Sequence, residues 1–309
     1  MSALTVALVL ALGVPQQTAT ASDEPAADAK YGSAEEAMRV AAAYLSLREY
    51  AKSREPLEAA LKLAPDDEYR VKVYRALLPA YTQDGNWLPK IEALEFIIAH
   101  SERDAERSLA RGELVSFLRQ RGQTDAAVKR YEERLKAHPE DEATLFIAIE
   151  VYSRLRDDPR KAAELLERLA AVQKKSGREL RVTEAAQLAA EYVKAKKFPD
   201  GAELYEQTAA RDELLAAWHY KEAAAAWLKA GDKPRALAAA KRADAAKPEQ
   251  RTEQLEHFFH RGLADVYFET GEYTLSIPHY EQAIAKTKID GYLKDCEKRL
   301  AEAKTKAAQ

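Results

Sequence analysis

Three histidines and a recurring set of cations are the residues in this chain with chemistry to offer. In the run His257-Phe258-Phe259-His260 the two imidazoles stand three residues apart, on one face of a helix. His279 falls in the next helical stretch, and three imidazoles can hold a zinc ion. Against that, His257 lies near a helix start, so the reading is no metal and no cofactor. A zinc-dependent enzyme around His257 and His260 stays as an alternative. Catalytic signatures are missing elsewhere: there is no glycine-rich phosphate loop, no G-x-S-x-G elbow and no H-E-x-x-H pair. Acidic clusters such as Glu132-Glu133 and Asp66-Asp67 read as solvated helix faces or turns, and His219 beside Trp218 as core or interface filler. Cys296 is the only cysteine, which permits no intrachain disulfide and no thiolate metal site. The chain therefore reads as a non-enzyme.

The elements that must position these side chains show most plainly in residues 257–288. Leu263, Ala264 and Tyr267 share one helical face, and Gly271 supplies the permissive backbone that ends a helix. A second apolar series follows at Tyr273, Ile277, Tyr280 and Ile284, with small Ser276 and Ala283 between them. Two short amphipathic helices joined by a tight turn cannot bury their apolar faces alone and need neighbours of the same kind. The sequence supplies them. Ser33 with Glu36 forms a capping box, followed by Val40, Ala41 and Tyr44, then Tyr50, Leu57, Ala60 and Leu61. Further copies run from Tyr74 through the turn Gly85-Asn86-Trp87 to Ile97, and from Leu114 through Gly122 to Leu135. The next spans Leu145 to Leu169, with Asp158-Pro159 as N-cap and first-turn proline. After a polar interruption at Gln173–Gly177, read as a hinge, come Leu188 to Tyr205 and Ala223 to Pro248. About seven units fill residues 34–288. Beyond them Asp290 caps one more helix, whose single stripe of Leu293, Cys296, Leu300 and Ala303 suits a terminal cap over 289–309. Cys296 is there a small core residue.

Composition agrees with an all-α chain of 309 residues. Alanine, leucine, glutamate, lysine and arginine dominate, and no β-branched alternation competes with them. A balance of 48 basic and 51 acidic side chains gives a net charge of −3, which argues against a nucleic-acid surface. Residues 1–21 differ from the rest: they carry no charge, and Ala3–Val14 is an apolar run too short to span a bilayer, which takes about 20 residues. Ala19-Thr20-Ala21 offers a small-x-small cleavage pattern, so 1–21 reads as a secretory signal, without transmembrane anchor, and 22–33 as a linker. Export to a periplasm or to the medium follows, or a cytoplasmic location if 1–21 is not a signal.

Taken as an ensemble, residues 34–288 resemble the tetratricopeptide repeat family, an α-solenoid of helix-turn-helix units. The small positions Ala41, Ala189, Ala224 and Ala264 match its first helices, and Ala127, Gly201, Ala236 and Ser276 its second. The match departs from the family at His260, which stands where an aromatic usually opens the pattern. Pro56, Pro79 and Pro278 fall inside helices, where a kink or a delayed start is expected. The resemblance implies a groove lined by first helices in which a peptide lies. Arg119, Arg154, Lys194 and Lys229 recur at the outer ends of four consecutive first helices, with Arg75, Lys221 and Arg261 toward the same surface. Such a basic ladder would receive acidic side chains or a C-terminal carboxylate, or would simply stabilise helix ends by about 0.3–1 kcal/mol each. Phe146, Trp218, Phe258 and Phe268 are the apolar anchors of that groove or inter-repeat packing. The expectation is a protein- or peptide-binding scaffold for assembly or trafficking at a cell envelope, with an acidic partner. An RNA-binding helical-repeat protein is the alternative.

Overall fold

The computed structural model describes residues 30–83, 87–246 and 251–309. The expected signal segment 1–21, most of the linker, the turn residues Gly85 and Asn86, and Pro248 lie outside the described residues. Within them the chain is all helix, with no strand. The helices come in seven pairs: α1 (Ala34–Ser46) with α2 (Tyr50–Leu63), α3 (Asp67–Gln83) with α4 (Trp87–His100), and α5 (Asp104–Gln120) with α6 (Thr124–Ala137). Next is α7 (Glu142–Glu150), prolonged by a π-helical turn Val151–Arg156, with α8 (Pro159–Lys175). Then come α9 (Val182–Lys194) with α10 (Phe198–Arg211), α11 (Ala216–Lys229) with α12 (Lys233–Ala245), and α13 (Glu253–Thr270) with α14 (Tyr273–Ala285). A single helix, α15 (Asp290–Ala307), closes the array. This is a tandem array of helix pairs, an α-solenoid architecture. It divides inside α4 into two compact units, one ending at Ala93 and the other running from Leu94 to Gln309.

In the first unit, α1 to α3 pack through Ala37, Ala41, Leu57, Ala60 and Leu77. Val40, which shares the apolar series with Ala41, points outward and is exposed; the helix turns Ala34, Ala37 and Ala41 inward instead. Ser33 caps α1 as its sequence implies, accepting from the Glu36 N–H at 3.1 Å, while Glu36 accepts from the Gly32 N–H at 2.8 Å. The fold begins before Ser33: Tyr31, counted with the linker by sequence, is buried in this core, and Lys30 pairs with Glu55. Pro56 and Pro79 sit inside continuous helices, and so does Pro278 in α14, without delaying their starts.

In the second unit each pair closes on small residues. Ala127, Ala189, Ala224, Ala236, Ala264 and Ser276 are all buried. At Gly201 the approach is tightest: a Cβ there would stand 2.7 Å from Val193 Cγ2 and 2.9 Å from the Ala189 carbonyl oxygen, so α9 and α10 touch backbone to backbone. Gly271, at φ 88°, ends α13; its N–H reaches the Phe268 carbonyl at 3.1 Å and the Glu272 N–H reaches Tyr267 at 2.8 Å. The expected Asp158 cap is present, accepting from the Lys161 N–H at 3.0 Å. Asp290 is instead the first residue of α15, whose N-cap is Ile289 without a side-chain bond. The polar stretch read as a hinge starts as helix, since α8 runs to Lys175 and buries Gln173. Cys296 and Ala303 of α15 bury against Ala264, Phe268, Tyr280 and Ala283, and burial pushes the Cys296 thiol above its ordinary value.

Candidate functional site

In the second unit polar and charged side chains link first helix α5 to α7 and α7 to α9, and a ring stack links α11 to α13. Arg119, near the end of α5, donates to the Arg154 carbonyl at 2.7 Å. Arg154 in turn holds Glu150 at 2.7 Å, and Ser153 donates to Glu191 of α9 at 2.6 Å. Lys194 completes the run with a 2.8 Å bond to the same Glu191 oxygen. The π-helical turn makes this possible. Its wider winding carries Ser153 and Arg154 to the neighbouring helices, and Asp157 at φ 53° lets the chain leave it. Arg119, Arg154 and Lys194 are thus exposed cations, Arg119 bonded to the end of the neighbouring helix and the other two paired with carboxylates of their own helices, and Glu191 beneath Lys194 is 2 % exposed. Lys229 is exposed at the end of α11 and has no carboxylate partner among the described residues.

A second row lies along the same helices. The Phe146 ring sits between two guanidinium groups, Arg111 of α5 at 4.8 Å and Arg181 at 5.7 Å from its centroid. Arg181, the N-cap of α9, also pairs with Asp104 of α5 and with buried Glu184. Hydrogen bonds from Arg181 and then Arg107 hold the Asp104 carboxyl below the usual carboxylate range. Burial opposes the charge of Arg181, but its bonds to Glu184 and Asp104 win and raise its proton affinity. Arg111 is lowered, by burial first.

The other expected site residues are placed differently. Lys221 is 6 % exposed: it lies on the Trp218 ring, 3.8 Å from ammonium to centroid, pairs with Glu222 and runs beneath α13. Only the missing Cβ of Gly262 leaves room for its Cδ, which such a carbon would meet at 2.9 Å. Phe268 is buried under Arg299 and Lys306 of α15, and Phe258 packs edge-on against Tyr292 at 5.5 Å. Arg261 is tied to Asp295 of the same helix. Lys221 is therefore held in the core and not on the expected surface, because the gap at Gly262 admits it, and Phe268 serves as packing, the second of its two expected roles, beneath α15. Arg75 is exposed on α3, in the first unit. Of the aromatics, Phe146, Trp218 and Phe258 are half-buried, Trp218 with its ring stacked 6.5 Å from Phe259.

The three histidines do not converge. His257 is buried and its Nδ1–H donates to the Ala283 carbonyl at 2.8 Å, whereas His260 and His279 meet each other, Nδ1 to Nδ1, at 3.0 Å. No group of three His, Cys, Asp or Glu side chains among the described residues is arranged to hold a metal. His219 is filler as expected, buried against Tyr205 with its Nε2–H on Asp212 at 3.2 Å. An open depression of about 700 Å³ at Ala137–Asp141 contains none of the candidate residues.

Sequence reasoning missed Arg111, Arg181, Glu150, Glu191 and the π-helical turn. A signal existed for two of them: Glu150 and Glu191 interrupt apolar stretches one or two residues before the anchoring Tyr152 and Tyr192. A carboxylate at such a position needs a cationic neighbour.

No family model matches the sequence, and no curated protein matches it. Among solved structures, a tetratricopeptide repeat protein from Parabacteroides merdae is 14% identical, covering 87% of this chain and 99% of its own, at a TM-score of 0.42. The MamA protein is 15% identical over 59% of this chain and 92% of its own, at 0.45. The TPR2AB domain of yeast Sti1, in complex with pHSP90, is 17% identical over 89% and 98%, at 0.31. The fold assignment rests on this chain's own helix pairs.

Proposed function

We propose that the chain is a non-catalytic scaffold that receives a polypeptide segment along the first-helix face of its second unit. The observation that carries the reading is the double row on α5, α7 and α9. Exposed Arg154 and Lys194 stand over the buried carboxylates Glu150 and Glu191, Arg119 is bonded to the Arg154 carbonyl, and the Phe146 ring beside them lies within reach of both Arg111 and Arg181. These cations are fixed in place before any partner arrives, so binding costs little side-chain ordering. An acidic segment suits the exposed heads, with Lys229 as the unengaged end of the row. Candidate contacts are Arg119, Arg154, Lys194, Lys229, Phe146 and Trp218.

Photo-crosslinking tests this. A benzophenone amino acid replacing Phe146 is expected to capture the partner recovered from native extract, and the same probe replacing Glu133, exposed on second helix α6, is not. Capture at Glu133 alone moves the interface to the other face. Replacing Arg119, Arg154, Lys194 and Lys229 by Gln should weaken affinity at low salt and flatten its salt dependence, since exposed charges are screened within about 8 Å at physiological ionic strength. Unchanged affinity rejects the acidic partner. Export, with the scaffold acting at a cell envelope, is the second part of the proposal, supported by the apolar start and the Ala19–Ala21 pattern. The mature chain is then expected to begin near Ser22, and N-terminal sequencing that finds residues before Val14 rejects it.

A further inference from the structure

Around His260 five side chains from three helices form one continuous array. His260 Nδ1 faces His279 Nδ1 of α14 at 3.0 Å. On its far side, His260 Nε2 lies 3.2 Å from Glu256, and His279 Nε2 lies 3.2 Å from Asp244 of α12. Asp244 also accepts from the Tyr267 hydroxyl. The 3.0 Å separation is a hydrogen bond only if one Nδ1 carries a proton and the other offers its lone pair, which two neutral imidazoles can supply. A further proton on the accepting Nδ1 would set N–H against N–H.

We propose that His260 and His279 form an acid-sensitive clasp: one proton is held between their Nδ1 atoms, and uptake of a second as pH falls drives the rings apart and loosens α13 from α14. This goes beyond the scaffold reading and does not depend on what the first-helix face binds.

The surroundings determine the sign. Burial, and then the charge of His279, push His260 below the ordinary histidine value, with Arg251 acting the same way and Glu256 and Asp244 against. Hydrogen bonds from His279 and Tyr267 overcome burial and keep Asp244 ionised below the usual range. From α11 the charged pair Lys221–Glu222 packs by Gly262, and from α15 Asp295 is taken by Arg261. On α13 itself, buried His257 lies one turn before His260. Because His260 is depressed in the folded state relative to an unfolded value of about 6.5, its contribution to stability is complete above that pH. It is lost as pH falls through the lowered folded value. The affected helices carry Phe259, which stacks on Trp218, so loosening reaches the first-helix face.

Hydrogen exchange of the full chain, with chelator present, tests the clasp at pH 7.5, 6.5 and 5.5. After correction for intrinsic rates, opening of residues 253–285 is expected to rise with falling pH, by at most about tenfold per pH unit for one linked proton. Residues 104–137 should stay level. His260→Gln should remove the rise. If the rise persists in that variant, which retains His257, or if 104–137 rises equally, or if nothing rises, the clasp is rejected. Should the variant fail to fold, imidazole nitrogen NMR of the unaltered protein decides. At pH 7.5 a proton resonance shared between the two Nδ1 atoms supports the clasp, and its absence overturns it.

Discussion

Glu95 is the most consequential single carboxylate in the second unit, and removing it should unlatch α4 from α6. Its two oxygens take a bidentate grip from Arg130 at 3.0 and 2.9 Å, a bond from Arg134 at 2.8 Å and the Tyr131 hydroxyl at 2.9 Å. In Glu95→Ala these donors lose their acceptor unequally. The Tyr131 ring is fully buried, so its hydroxyl is stranded at a cost of about 1–3 kcal/mol. Arg130 and Arg134 keep 21% and 39% of their side chains in water and rehydrate in part. Their charge-assisted bonds, about 1.5–3 kcal/mol each when dry, are therefore discounted by more than half. The sum is about 3 kcal/mol, at the lower edge of what breaking a buried ion pair costs. Tyr131→Phe removes only the hydroxyl and should cost about 1 kcal/mol, and the double variant should show about 1 kcal/mol of coupling. Because helix-pair arrays unfold in parts, exchange protection of residues 94–100 and 124–137 is the measurement, with urea unfolding beside it. A loss below about 1 kcal/mol in Glu95→Ala, or coupling near zero, would refute the view that Glu95 holds these helices through Tyr131.

Three other outcomes are expected. Gly201→Ala gains about 1 kcal/mol of helix propensity, yet its Cβ meets the Ala189 carbonyl oxygen at 2.9 Å, a backbone atom that cannot rotate away. The net should be destabilising by about 1 kcal/mol or more, read as a lower Tm, and an unchanged Tm means α9 and α10 part easily. Deleting 290–309 strips α15 from Phe268, Tyr280 and Ala283, so protection should fall most in 253–285 and least in 104–137; a uniform loss contradicts nearest-neighbour stability. Cys296, buried with its thiol raised, should react with a thiol reagent only at the rate at which α15 detaches, and rapid labelling of the folded chain would remove it from the core.

The helix pairs were legible because their cause is local. An alanine or glycine where two helices touch, an apolar residue three or four places on, and a glycine at the turn are all written within one unit, and Ala41, Gly201, Ser276 and Gly271 do what their spacing implies. Errors came where a neighbour decides. Val40 and Ala41 look equivalent in a window of sequence, and only the packing partner exposes one and buries the other. Phe268 reads as a groove anchor until α15 lies over it, and Lys221 reads as a surface cation until Gly262 admits it beneath α13.

The basic row shows the same division at the level of charge. Its members were legible as cations at helix ends, and helix-end electrostatics alone explains cations there. Nothing in that explanation requires buried carboxylates below them. Glu191 is nearly inaccessible and accepts from both Ser153 and Lys194, while its other oxygen is buried without a hydrogen-bond partner. A helix stabilised only by its terminal lysine would be better served by an apolar residue at that depth, since a buried charge is worth less than good packing. The π-helical turn adds to this, because it gives up regular helix geometry where the Ser153 hydroxyl reaches Glu191 and the Arg154 carbonyl receives Arg119. Two departures from the most stable choice at the same place mark the junction of α7 and α9 as the part of the face shaped by something other than folding.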